Sequence, residues 1–286
     1  MIKLAGIKRS AEFSPNHIET DSLILMKTTE VLMEMGAKVN LYNEEDVGKV
    51  DIPEEMIFSM VQGERATEEL LKYDTSGTKQ IINPPSAVKN CYRVNMTSLL
   101  PDAGIPFPKS VHVKTNDLAT VNFNDFGMRK IWIKRGDVHA VHREDVTLVY
   151  SEEEKISMLR EFERRGITDA ILQTHLDGDV VKFYAIKDSN LFHWYYLNGI
   201  NHTKFDTTKL QELAQASAEV LGLFIYGGDA VIAEDGSIKI IDINDWPSFA
   251  PIKDEAAKQI ANLIFKKAQN YEYGLCRETK ISFNQD

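Results

Sequence analysis

The sequence predicts an α/β (α+β) protein built from successive units, and three observations carry that prediction. Strand and helix signals alternate through about the first hundred residues, which implies a small parallel sheet with covering helices. Prolines at 101, 106 and 108 then interrupt the alternation, as a domain junction does. Farther along, two β-rich runs flank Asp235-Gly236, the signal for a hairpin closed by a two-residue type I′ turn.

Residues 3–9 read as the first strand. A helix over residues 21–35 follows, with Ile24, Thr28, Val31, Leu32 and Met35 on one stripe and Gly36 as its stop. Residues 38–42 and 56–60 are the next strands, and Ile81-Ile82-Asn83-Pro84-Pro85 breaks the pattern. A second unit holds strands at 110–113, 130–134 and 146–150. In it Ser151 and Glu154 make a capping box for a helix that ends at Gly166, and a strand at 170–173 closes the unit. The third unit holds strands at 180–186 and near 194–197, and a helix at 207–221 with Leu210, Leu213, Ala214, Val220 and Leu221 inward. The hairpin and a helix near 253–269 complete it.

Composition excludes several function classes. With 286 residues, 43% hydrophobic and 27% charged, the chain has the material for two or three lobes with real cores. It has no apolar run long enough for a transmembrane helix, and its first residues are charged too soon for a signal peptide. Two cysteines, Cys91 and Cys276, give no disulfide framework and fit a reducing cytoplasm. The net charge of −10 argues against nucleic acid and acidic membranes as partners. Any phosphate site must therefore be a local basic cluster. Neither a Walker A sequence nor Gly-x-Gly-x-x-Gly follows a strand, so P-loop and Rossmann sites have no support.

The hairpin offers oxygen ligands. If Asp235-Gly236 is the whole loop, Glu234 opposes Ser237 and Asp229 opposes Asp242. Asn244 then shares their face, together with Val231, Ala233, Ile238 and Ile240. Opposed side chains have Cβ atoms about 4.5–5.5 Å apart. Two carboxylates and an amide oxygen suit a hard cation such as Mg²⁺. The same residues also read as a plain strand exit, Asn244-Asp245-Trp246-Pro247. Lys134 ends the strand Ile131-Trp132-Ile133-Lys134, and Lys182 lies inside Val180-Val181-Lys182-Phe183-Tyr184. Singly, each lysine fits a solvated strand face. With the acidic hairpin they match a nucleotide site, where lysines neutralise phosphate oxygens and a metal bridges those oxygens to carboxylates.

Further segments stand in a definite order. They are Ile82-Asn83-Pro84-Pro85-Ser86-Ala87 with Asn90 and Arg93, Ala103-Gly104-Ile105-Pro106-Phe107-Pro108, Ile133-Lys134, and Ile171-Leu172-Gln173-Thr174-His175-Leu176. Gly178-Asp179-Val180-Val181-Lys182 comes next, then Leu221-Gly222-Leu223, Gly227-Gly228-Asp229, Asp242-Ile243-Asn244 and Pro247-Ser248-Phe249. This order resembles the ATP-grasp superfamily over nearly the whole chain, nearest to its glutathione synthetase and ribosomal-protein-glutamate ligase type. The resemblance implies an ATP-grasp fold: an N-terminal parallel α/β pre-ATP-grasp domain at 1–106, a small lobe at 107–173, and a C-terminal lobe with the metal site at 174–286.

The resemblance also implies roles. Asp229, Asp242 and Asn244 would hold Mg²⁺, or Mn²⁺ in its place, with Asp242 standing where a glutamate is common. Arg93 and Lys134 would contact ATP phosphates. Gln173 and the backbone of Thr174 and Leu176 would hold adenine, and Asp179 would reach the ribose. Lys182, near the γ-phosphate or the acceptor, and Arg143 are the catalytic candidates. The loop from Arg135 to Arg143 departs from the glycine-rich flap of the family; Arg135, His139 and His142 are expected to contact phosphate or an anionic substrate, the alternative being a solvated loop. The function implied is an ATP- and Mg²⁺-dependent carboxylate–amine ligase that forms an amide through an acylphosphate, acting on small-molecule or peptide carboxylates and amines. A small-molecule kinase of the inositol-phosphate-kinase kind and a non-catalytic nucleotide-binding module are the alternatives. A homo-oligomer, such as a dimer, is a further expectation from the resemblance.

Overall fold

The computed structural model describes residues 1–14, 18–138, 141–198 and 202–282, with side chains as far as Tyr271. Strand β1 (Lys3–Lys8), helix α1 (Ile18–Glu34), β2 (Lys38–Asn43), β3 (Met56–Ser59), helix α2 (Glu64–Thr75) and β4 (Gln80–Ile82) open the chain. The four strands form a wholly parallel sheet in the order β2-β1-β3-β4. Alternation along β1 decides which helix covers which face. Leu4 packs with Ile24, Leu25 and Leu32 of α1, while Ala5 and Ile7 pack with Ala66 and Leu70 of α2.

Helices α3 (Pro85–Asn90) and α4 (Arg93–Asp102) occupy the stretch where prolines were expected to break regular structure. The physical reason is position. Pro85 is the first residue of α3, where its missing N–H costs no hydrogen bond. Both helices pack against the C-terminal sheet, through Ala87, Met96 and Leu100.

Next come β5 (Ser110–Lys114), β6 (Ile131–Arg135), β7 (Val146–Val149), helix α5 (Glu152–Arg164) and β8 (Asp169–Thr174), whose strands make an antiparallel sheet in the order β5-β8-β6-β7. The Ser151 hydroxyl accepts from the Glu154 N–H, as the capping signal predicts. The Glu154 carboxylate, however, accepts from Tyr150 N rather than from the cap residue itself.

The last unit holds β9 (Asp179–Ile186), β10 (Phe192–Asn198), helix α6 (Thr207–Leu221), β11 (Ile225–Ile232), β12 (Ile238–Asp245) and helix α7 (Lys253–Ser282). Its antiparallel sheet runs β10-β9-β11-β12. Helix α7 returns to pack on α1, with Ala257, Ile260 and Ile264 in one core with Leu4 and Leu32. Each fully buried Leu or Ile there is worth roughly 1.5–3 kcal/mol over exposure, so this contact ties the two ends of the chain together. Among the described residues no helix is long and apolar enough to cross a membrane.

The hairpin differs from expectation at two places that offset each other. Its loop is Glu234-Asp235-Gly236, closed by Ala233 N to Ser237 O at 2.9 Å, with Gly236 at φ +81°. A three-residue loop with glycine in the left-handed region replaces the two-residue turn. Ile232 then faces Ile238, one step out of the expected register. A β-bulge between Asp229 and Ala230 restores it, so Asp229 does face Asp242. The bulge also exchanges faces. Ile238 and Ile240 turn into the core, and Ile241 joins Asp242 on the open side.

Asn83 braces the N-terminal sheet to β11. Its Nδ2 donates to Ile225 O at 2.7 Å, and its Oδ1 accepts from the N–H groups of Phe224 and Ile225 at 2.9 Å each. Asn83→Ala leaves these buried groups unsatisfied and is expected to cost on the order of 2–4 kcal/mol in urea unfolding; a loss below about 0.5 kcal/mol would show that water replaces the bonds.

Candidate active site

One register row of the C-terminal sheet reads, strand by strand, Tyr195, Lys182, Asp229, Asp242. The next row on the same face reads His193, Tyr184, Gly227, Asn244. Gly227 must lack a side chain, because a Cβ there would lie 2.8 Å from Phe183 O and 2.9 Å from Pro247 Cγ. Asp229 and Asp242 are like charges directly opposed, an unfavourable pairing in a sheet. Two cations offset it. Lys182 Nζ lies 2.8 Å from Asp229 Oδ1, and Arg93 Nη2 lies 3.0 Å from Asp242 Oδ2. Arg93 reaches in from the first position of α4, where its side chain is 5% exposed.

Lys134 is supplied by the small lobe. Along β6, Ile131 and Ile133 point into that lobe's core, whereas Trp132 and Lys134 face the other way. Lys134 is buried, and desolvation, with some repulsion from Arg93, lowers its ammonium pKa to about 8 against the pull of Asp242 and Asp229. The Asp229 carboxyl is raised from its ordinary value, first by burial and also by Asp242, with Lys182 opposing. The cluster thus has three cations, Arg93, Lys134 and Lys182, against the two carboxylates of the row. In a chain of net charge −10 this is a local concentration of cations.

Two cavities meet at this cluster. One, of about 510 Å³, lies between the small lobe and the C-terminal sheet and is lined by Trp132, Lys134, Gln173, His175, Leu176 and Ile241 among others. Trp132 and His175 form an aromatic pair with ring centroids 5.9 Å apart. Gln173 donates its Nε2 to Ser110 Oγ at 2.9 Å, which turns its carbonyl oxygen into the fixed acceptor of this wall. The other cavity, of about 460 Å³, is polar and lies toward the N-terminal sheet; Ser14, Asp21, Gln62, Lys182, Tyr184 and Tyr195 are among its walls. Arg93, Asp229 and Asp242 line both, so they are the boundary. Asn244 lines the polar cavity only.

The donor set fits a hard divalent cation: two carboxylates in register and an amide oxygen on the same face, with no sulfur or imidazole among them. In the chain as it stands, Lys182 and Arg93 balance those carboxylates.

Of the residues expected in the site, Arg93, Lys134, Gln173, Thr174, Leu176, Lys182, Asp229, Asp242 and Asn244 line one cavity or both. Four others line neither cavity. The Asp179 carboxylate is buried and accepts from Thr203 N at 2.7 Å, a strut for the following loop, and it lines neither cavity. The Arg135 guanidinium is held by Asp137 at 2.6 Å and by Asp145 at 3.1 Å, so its donors serve the flap itself. His142 is exposed beside Arg135 and Arg165 in a separate groove against Phe13, its backbone N–H donating to Asp145. Arg143 is exposed on the turn Arg143–Asp145 and lines neither cavity. His139 lies outside the described residues. Around the flap the cause is Asp145, whose fully buried carboxylate draws Arg135, Arg165 and the N–H groups of Val141 and His142 around it. Val138 completes the anchoring by packing on Val88 and Tyr92, beside Phe13.

Sequence reasoning missed Trp132, Tyr184 and Tyr195. Period-two alternation could have found the first two, since Trp132 precedes Lys134 by two residues and Tyr184 follows Lys182 by two. Arg9 was invisible. Its guanidinium reaches Asp21 at 2.8 Å, Met60 O at 3.1 Å and Trp246 O at 3.2 Å, pinning the N-terminal sheet to the exit of β12.

Lys134 generates a pH prediction. Phosphate binding favours the ammonium form, which the free chain loses as pH rises through about 8. Below that value the proton is already present; above it, nucleotide binding must take one up. Calorimetry of ADP binding in buffers of different ionisation enthalpy should show uptake approaching one proton near pH 9, with affinity falling by up to about tenfold per pH unit. An affinity that is flat through that range would contradict the assignment of Lys134 to phosphate.

No family model matches the chain. A stretch of 210 residues is 23% identical to the tetrahydromethanopterin:alpha-L-glutamate ligase of Methanocaldococcus jannaschii, covering 67% of this chain and 70% of that protein. The structure is similar to that of D-alanyl-alanine synthetase A from Vibrio cholerae, with a TM-score of 0.71 and 10% identity over 94% of this chain and 98% of the other. It is also similar to the ATP-grasp ligase PsnB complexed with minimal precursor, Mg and ADP, with a TM-score of 0.62 and 16% identity over 93% and 98% of the two chains. The parallel N-terminal sheet followed by two antiparallel sheets that face each other across a cavity of about 510 Å³ is the ATP-grasp fold, and this chain has it.

Proposed function

We propose that the chain is an ATP- and Mg²⁺-dependent ligase that joins a carboxylate to an amine. The observation that carries this reading is the meeting of two cavities at one charged boundary. The cavity with the aromatic pair and the fixed Gln173 acceptor suits a nucleotide base, and Thr174 and Leu176 lie along the same wall. Lys134 and Arg93 stand where its phosphates would come. The polar cavity on the far side of Asp229 and Asp242 would hold the acceptor. A metal held by Asp229, Asp242 and Asn244 would supply charge neutralisation to the phosphoryl group, and Mn²⁺ is the substitute that this oxygen set accepts.

In such a site a carboxylate oxygen of the acceptor attacks the γ-phosphorus, the bond to the β-phosphate oxygen breaks and ADP leaves. An amine nitrogen then attacks the carbonyl carbon of the acylphosphate. The C–O bond to phosphate breaks and the amine gives up its proton, leaving amide and inorganic phosphate. No side-chain nucleophile takes part, so positioning and charge neutralisation carry the rate. The one thiol among the described side chains, Cys91, agrees with this: it is buried and its pKa is pushed well up by desolvation.

The relative found by sequence is a glutamate ligase and one structural neighbour makes D-alanyl-alanine, so an amino acid is our choice of amine donor. The acidic body fits a small-molecule or peptide acceptor rather than nucleic acid. We place it in a reducing compartment, the cytoplasm, and retain a dimer as its assembly.

The test is to incubate the protein with Mg-ATP and a pool of amino acids and small carboxylic acids, and to follow it by phosphorus NMR and mass spectrometry. Free phosphate formed together with an amide-linked product is the expected result. A phosphate ester without free phosphate would replace the ligase with a kinase, and ATP binding without any turnover would replace it with a non-catalytic nucleotide-binding module.

A further inference from the structure

The three cations of the cluster do not share one cavity. Lys134 lines the nucleotide cavity only, Lys182 the polar cavity only, and Arg93 both. The polar cavity has one more cation among its lining residues, Arg9, but its guanidinium is spent on Asp21 and on the carbonyls of Met60 and Trp246. Arg93 is held by Asp242 at 3.0 Å and is 5% exposed, whereas Lys182 is 25% exposed, so an acceptor carboxylate in that cavity has Lys182 as its natural counter-charge. Yet Lys182 is itself taken, at 2.8 Å from Asp229 Oδ1, a carboxylate that the donor geometry assigns to a divalent cation.

We propose that Lys182 is the acceptor's anion-binding residue and that Asp229 holds it neutralised until a divalent cation takes that carboxylate. This rests on the ligase reading of the site and adds an order to it: cation first, acceptor second. An ammonium held 2.8 Å from Asp229 Oδ1 and a divalent cation on the same carboxylate would repel each other strongly. Lysine, with a flexible four-carbon stem and a point charge, is the residue that can swing away from one acceptor and reach another. Its side chain is 25% exposed and its row neighbour on the other side is Tyr195, whose hydroxyl lies 3.4 Å from that of Tyr184. Those two phenols line the polar cavity and offer the released ammonium oxygen acceptors beside the incoming carboxylate. Arg93 is balanced in the same way by Asp242 but is nearly enclosed, so it stays in the boundary while Lys182 is the cation free to turn toward the acceptor.

The test needs no turnover. Inorganic phosphate is the anionic probe, and its binding is measured by calorimetry in the presence of EDTA. The wild-type chain should bind weakly. Asp229→Asn removes the neutralising charge and should strengthen binding by about tenfold or more. That gain should vanish in the double variant Asp229→Asn/Lys182→Met, which separates it from binding at Lys134. Equal binding by wild type and Asp229→Asn, or a gain that survives the loss of Lys182, would overturn the proposal. Should Asp229→Asn not fold, the wild type still decides: its Lys182 side-chain Cε signal, assigned by its disappearance in Lys182→Met, should move when Mg²⁺ is titrated in, and a signal unmoved at saturating Mg²⁺ would overturn the proposal equally. Neither readout depends on ligation, so the ligase reading stands or falls separately.

Discussion

The interaction on which the rest of this structure depends is the buried balance of charge across the C-terminal sheet. Two carboxylates sit opposite one another on adjacent strands, Asp229 on β11 and Asp242 on β12, a placement that like-charge repulsion disfavours. It is tolerable because Lys182 comes from the strand on one side and Arg93 from a helix on the other. Breaking one partner out of such a buried pair costs roughly 3–5 kcal/mol, far more than an exposed ion pair. The cluster therefore dictates where its neighbours must be. Helix α4 must begin at the sheet, β9 must pair with β11 in one register, and β12 must carry a bulge.

The surrounding fold serves that requirement. Asn83 and Arg9 use side-chain bonds to backbone to fix the N-terminal sheet against one end of the β11–β12 pair, where β11 begins and β12 ends. Trp246 and Phe249, which follow β12, hold left-handed backbone at φ +37° and +49°, unfavourable for bulky residues. Both are fully buried in the core shared by α1 and α7, and packing there holds them in place. The strain lies beside Asn244 and Asp245, at the wall of the polar cavity, where a regular strand end would have carried the chain away.

Much of this was legible in the sequence wherever local signals decide. Helix α6 spans Thr207–Leu221 as expected, because Asp206 caps its start, Gly222 ends it in the left-handed region, and its apolar stripe has one core to face. Lys134 and Lys182 were readable as cations at the end of an apolar strand and within another. The pairing of Asp229 with Asp242 was read correctly although the turn was not, since a longer loop and a bulge shift the register in opposite directions. What stayed hidden was tertiary. Nothing near Arg135 announces that Asp145 and the distant Arg165 will form one buried knot, so a basic loop looked like a substrate contact. The polar cavity was equally unreadable. It is assembled from residues as far apart as Arg9, Asp21, Gln62, Arg93, Lys182 and Asn244, and no window of sequence contains it.

The central claim is that Asp229, Asp242 and Asn244 hold a divalent cation at the boundary between nucleotide and acceptor. The most direct measurement is electron paramagnetic resonance of Mn²⁺ titrated into the chain with ADP, for the wild type and for Asp242→Ala. The account predicts saturable Mn²⁺ binding by the wild type, weakened by at least about tenfold when one of two carboxylate ligands is removed. Mn²⁺ binding of undiminished affinity in folded Asp242→Ala would contradict it.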